Sequence, residues 1–149
     1  GNDLHPYDKK LVADRVFNAA MDLVYGRQAQ PQPAVETIEV CGDLLRMHCV
    51  WRSRSDERIR SESRRLMTLD GDAPHEIEFL WRDCATSARA EAWLDGCDIV
   101  ARMTARRPDE VRYAWSNNPE SGLICDGDGM LIPPFRLTLP TDDDKGIHA

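Results

Sequence analysis

The chain has 149 residues, enough for one domain, or a small domain with an appendage. A chain of that size can hide roughly 70% of its unfolded surface in a core. Its formal net charge of −7 excludes bulk attraction to nucleic acid or an anionic membrane. No apolar run of about 18 residues offers a membrane span, and no signal-peptide pattern is visible. Arginine supplies nearly all the positive charge, with lysine only at Lys9, Lys10 and Lys145. That bias can follow from base composition and carries no functional reading.

The first element is "PYDKKLVADRVFNAAMDLVYGR". Leu11, Val12, Val16, Phe17, Ala20, Leu23 and Val24 fall at helical spacing along one apolar stripe. Pro6 and Asp8 suit a helix start, and Gly26 suits its stop. The spacing predicts a helix from about Tyr7 to Tyr25. Its stripe is wide for a lone helix, so it needs a partner surface or invites self-association.

"QAQPQPA" follows and reads as a semi-extended linker over 28–34. "VETIEVCGDLLRMHCVW" then reads as two strands around a Cys-Gly-Asp turn. "RSRSDERIRSESRR" mixes both charge signs and reads as a solvated loop. "LMTLDGDAP" looks like a strand end and a turn, and "HEIEFLW" like a strand. "RAEAWLDGCDIVARM" looks like a hairpin turning at Asp95-Gly96, while "EVRYAW" and "FRLTLP" complete the strands. About seven short strands with regular turns imply an antiparallel β-sandwich over 35–140. The acidic tail 141–149 is expected to be disordered.

The cysteines are Cys41, Cys49, Cys84, Cys97 and Cys125, and their spacing fits no zinc pattern. Buried small apolar residues are the simplest reading. Cys41 and Cys49 flank the first hairpin turn and leave a disulfide open as an alternative.

Candidate chemistry sits at the start. "NDLHPYDK" puts Asp3 two residues before His5. A neutral imidazole can take a proton from a serine hydroxyl while a carboxylate orients the ring. Standing alone, the pair is a weak signal and reads by default as a surface histidine near a helix start. Further on, Tyr113 and Trp115 alternate along a predicted strand and so would share one face, with Asn118 in the turn after it. The functional reading is an aromatic and amide wall for a sugar. The structural one is a lock between layers. Trp51, Trp81 and Trp93 read as core, and Phe135 and Arg136 as anchors of the last strand.

"DLHPYDKKLVADRVFNAAMDLVYG" resembles the C-terminal block of SGNH-type esterases of the sialate O-acetylesterase family, where a D-I-H-P-like turn enters a helix ending in Tyr-Gly. "VRYAWSNNPE" resembles that family's V-R-Y-A-W-x-x-N-P segment, and "GMLIPPFR" its G-L-P-x-x-P-F-R ending. The matches are collinear over about 140 residues. They differ at Asn2, where SGNH enzymes commonly place the acid, and at Met130-Leu131, where the family has Leu-Pro.

The resemblance implies a mainly β chain, an antiparallel β-sandwich preceded by one amphipathic helix left over from an α/β catalytic domain. Residues 1–27 would be the closing catalytic block. It implies hydrolysis of acetyl esters on a carbohydrate, without metal or cofactor, in a periplasmic or secreted protein. His5 would be the general base, Asp3 its orienting carboxylate, and Tyr113, Trp115 and Asn118 substrate contacts. The family's nucleophile lies in a G-x-S-like block ahead of the D-x-H block. None of Ser53, Ser55, Ser61, Ser63, Ser87, Ser116 and Ser121 has such a context here, and Cys125 in "LICDGDG" is the nearest nucleophile-like side chain. The expected partner is therefore a missing N-terminal catalytic portion or a second chain, and the 149 residues are expected to be inactive alone. The alternative is a non-catalytic β-sandwich that binds carbohydrate or buttresses a partner.

Overall fold

The computed structural model describes residues 13, 16, 17, 20, 21, 24, 31–52, 58–59 (backbone), 64–116 and 121–140. Its strands are β1 (Gln32–Cys41), β2 (Leu44–Arg52), β3 (Arg58–Ile59), β4 (Leu66–Thr68), β5 (Ile77–Trp81), β6 (Thr86–Arg89), β7 (Glu91–Asp95), β8 (Asp98–Arg102), β9 (Glu110–Tyr113), β10 (Ile124–Asp126) and β11 (Phe135–Thr138). Every strand pairing is antiparallel. The mainly β character follows from the alternating apolar runs that mark β2, β5 and β9.

Among the described residues the strands form three sheets. One runs β1-β2-β8-β7 with β3 added to β2, a second runs β11-β9-β5-β6, and β10 pairs with β4. Alternation sends one face of each strand inward. Leu45 and Met47 of β2, Ile99 of β8, Phe79 of β5, Val111 of β9 and Ile124 of β10 are fully buried in one cluster. A core shared by all three sheets is what their apolar faces need.

The hairpin around Gly42-Asp43 forms where expected. The second hairpin turns at Gly96-Cys97, one residue later than expected, because Asp95 pairs with Asp98. Gly96 supplies the positive φ of 65° there.

Gln32, Pro33 and Ala34, expected in the linker, belong to β1 instead. Pro33 is fully buried opposite Trp51. β1 is an edge strand, and an edge tolerates a proline because its outer side needs no ladder donor.

Within the predicted helix 7–25, Ala13, Val16, Phe17, Ala20, Met21 and Val24 are described and helical, and Val16, Phe17 and Val24 are exposed. The rest of that segment lies outside the described residues, as does the tail 141–149.

Candidate functional site

Asp3, His5 and Asn118 lie outside the described residues. Tyr113 and Trp115 are described, and they do not share a face. β9 ends at Tyr113, and Ala114 takes a left-handed φ of 51° that breaks the alternation. Two bonds pin this reversal: the Ala114 N–H donates to the Glu76 carbonyl at 3.0 Å, and Ser116 Oγ donates to Glu76 Oε2 at 3.0 Å. Tyr113 is therefore fully buried. Its ring stacks on Phe135 with centroids 5.5 Å apart, and its hydroxyl oxygen accepts the Ile124 N–H at 2.7 Å. Trp115 turns outward and is 50% exposed. Tyr113 locks β9 to β10 and β11, and only Trp115 of the pair offers an aromatic surface.

Of the other tryptophans, Trp51 and Trp81 are held from inside, whereas Trp93, expected in the core, is half-buried on an outward face with the Arg102 guanidinium over its ring. Trp51 Nε1 donates to Asp126 at 2.8 Å, under the Arg64 guanidinium 5.6 Å from its ring. Trp81 Nε1 donates to the Arg107 carbonyl at 3.0 Å. Asp126 also accepts the Asp128 and Met130 N–H groups, so this buried carboxylate organises the turn after β10.

A site that strand periodicity did not announce lies on the outward face of the β11-β9-β5-β6 sheet. Register builds it in two rows. Arg136, Arg112, Glu78 and Arg89 face one another across the four strands, and Thr138, Glu110, Leu80 and Ser87 form the next row. Arg82, in the turn after β5, joins them.

Glu110 is nearly buried and takes two arginines at once. Arg136 Nε donates to its Oε2 at 2.5 Å, and Arg82 Nε to its Oε1 at 2.8 Å. The Arg136 hydrogen bond, then that of Arg82, holds its carboxyl below the ordinary value of 4.5. Arg112 Nε donates to Glu78 Oε2 at 2.6 Å. Arg82, Arg112, Arg136, Glu110, Thr86 and Ser87 line a groove of about 340 Å³.

A carbohydrate acetylesterase from Xanthomonas citri shares this fold. The match to its crystal structure has a TM-score of 0.68 at 25% sequence identity and covers 91% of this chain. The chain spans 29% of the length of that esterase. No family model matches the chain, and no curated protein does.

Against that background the cysteines can be placed. All five are free thiols. The disulfide considered between Cys41 and Cys49 is absent, because register sets Cys41 opposite Leu44 and Cys49 opposite Val35. Burial, then Asp98 and Cys97, pushes the Cys49 thiol up to about 12. Burial, then Asp126, raises Cys125 as well, which leaves it a protonated core residue and a poor nucleophile. Among the described residues no group of three or more histidine, cysteine or acidic side chains is placed to hold a metal.

Proposed function

We propose that this chain is the β-rich part of a carbohydrate O-acetylesterase, of the sialate type. The fold shared with a carbohydrate acetylesterase over 91% of the chain carries this reading. The D-x-H-P turn, the Y-A-W strand and the P-P-F-R ending support it in sequence. In the complete enzyme His5 takes the proton from a serine that lies outside these 149 residues as it attacks the acetyl carbonyl, gives it to the sugar oxygen as the ester bond breaks, and then activates the water that releases acetate from the serine. Asp3 orients the imidazole. The apolar stripe of helix 7–25 packs on that catalytic portion, and the protein works in the periplasm or outside the cell.

A second reading has its own support. Tyr113, fully buried and bonded to the Ile124 N–H, favours a buttressing role for the β-rich part over a direct role in substrate contact.

Acetate release from acetylated oligosaccharides by the native protein tests both. The esterase reading expects release that His5→Ala lowers by about 10⁴-fold or more, the order lost with a catalytic-triad member. It also expects no activity from the 149 residues alone. A native protein that releases no acetate contradicts the esterase reading. Release untouched by His5→Ala removes His5 from it.

A further inference from the structure

We propose that the arginine groove on the outward face of the β11-β9-β5-β6 sheet is a carboxylate-binding site, selective for a uronic-acid residue of a glycan over its neutral counterpart. The sugar rests on the carbohydrate reading above; the carboxylate preference stands on the groove.

The first support is charge. The chain carries a net −7, yet this groove is lined by Arg82, Arg112 and Arg136 with Glu110, and Glu78 behind Arg112 is the one further carboxylate bonded to them, an excess of one positive charge. An acidic protein that gathers three guanidinium groups around one concavity creates a local field opposite in sign to its own.

The second is placement. Arg136 and Arg112 stand directly opposite in the β11-β9 ladder. Like charges at that position repel. Glu110 and Glu78 relieve the repulsion from the flanks, and an anion bridging the two arginines would relieve it further.

The third is the way the arginines are held. Arg82, Arg136 and Arg112 each bond a glutamate through Nε. A guanidinium fixed at Nε has lost its freedom to swing. Among the described residues Arg136 keeps both Nη donors for a ligand, whereas Arg82 Nη2 already donates to Thr138 at 3.1 Å and Arg112 Nη2 to Ser87 at 3.4 Å, leaving each of these one Nη to offer. The Arg136 fork matches a carboxylate in two parallel hydrogen bonds. Glu110, nearly buried and ionised, thus acts as the positioning residue, and the donors it orients are already ordered before a ligand arrives.

The fourth is the rest of the lining. Ser87, in the same outward row as Glu110, supplies a hydroxyl beside Arg112, whose Nη2 donates to it at 3.4 Å. A volume of about 340 Å³ falls at the small end of the range of ligand sites, roughly 300–1,000 Å³. A charged sugar residue asks for that mixture of one ionic clamp and a neutral hydroxyl.

Calorimetric titration of the full chain decides the matter with four probes: a glucuronate-containing disaccharide, the same disaccharide with neutral glucose, glucuronate itself, and a non-sugar carboxylate such as benzoate. The proposal expects the acidic disaccharide to bind at least about tenfold tighter than the neutral one, with affinity falling as salt rises. It expects Arg136→Gln and Arg112→Gln each to weaken acidic binding about tenfold, and Arg136→Lys to recover only part of it. Arg136 is exposed, so its replacement should leave the circular dichroism spectrum and thermal midpoint close to the parent.

Equal affinity for acidic and neutral disaccharides overturns the carboxylate site while leaving a carbohydrate role standing. Benzoate binding as tightly as the disaccharide overturns the sugar preference. Absence of binding by all four overturns the site altogether. None of these outcomes bears on acetate release, which tests the esterase reading separately.

Discussion

The outward faces of the two larger sheets are built alike and charged oppositely. On the β1-β2-β8-β7 sheet, Arg46 bonds Asp95 at 2.8 Å and Asp98 at 3.0 Å, and His48 sits between Asp98 at 3.2 Å and Glu39 at 3.4 Å. Arg102 pairs with Asp43 and Glu91 and lies over the Trp93 ring. Carboxylates surround each cation there. On the β11-β9-β5-β6 sheet the order is reversed, with two arginines gripping Glu110. Cross-strand pairing makes both lattices, and exposed pairs of this kind contribute at most about 1 kcal/mol each. Stability therefore does not explain why one face collects arginine around a concavity. A ligand does.

The comparison breaks first if the two faces do not sit on one core. Phe79→Ala on the four-stranded sheet should cost about 3–5 kcal/mol, and Ile99→Ala on the five-stranded sheet about 2–5 kcal/mol. Urea denaturation should show a single transition in each variant, followed by tryptophan fluorescence and by circular dichroism. Separate transitions for the two sheets would contradict the shared core.

Gly122→Ala comes next. A Cβ at that position would meet the Ala73 carbonyl oxygen at 2.4 Å and the His75 nitrogen at 2.6 Å, on a backbone whose φ of 66° already disfavours a side chain. The expected loss is about 2–3 kcal/mol, read from the same urea midpoints. Tyr113→Phe should cost about 1–3 kcal/mol, since it strands the buried Ile124 N–H while leaving the Phe135 stack in place. A neutral result would mean that this N–H finds another acceptor.

Glu110→Gln sharpens the difference between the faces through pH. The carboxyl of Glu110 lies below its ordinary value in the folded protein, so its stabilising contribution is full above that value of 4.5. The contribution is lost as pH falls through the depressed value. The variant should therefore lose stability at neutral pH and show a shallower decline in thermal midpoint below pH 4.5 than the parent. The smallest effect is expected at Arg46→Gln on the other face, less than about 1 kcal/mol and with no change in ligand binding.

Much of the frame was legible in the chain. "LLRMHCVW" and "EIEFLW" alternate apolar and polar residues, and they became β2 and β5 with Leu45, Met47, Ile77 and Phe79 inward. β6 was not legible, because "TSAR" is exposed along its whole length and carries no apolar alternation. Its pairing comes from the turn that returns it to β5. The shared face assigned to Tyr113 and Trp115 failed at a single backbone angle, that of Ala114, which no periodicity reports. The groove was hidden for another reason. Glu110 meets Arg82 and Arg136 across separations of 28 and 26 residues, so only the register of β5, β9 and β11 brings the three together.

In this proposal the arginine-rich face, and not its acidic counterpart, receives the ligand. The most direct measurement follows the arginine Nε–Hε resonances of the full chain while a glucuronate-containing disaccharide is added. Shifts that saturate at Arg82, Arg112 and Arg136, with Arg46 and Arg102 unmoved, are the predicted result. Shifts of equal size on both faces, or none on either, would contradict it.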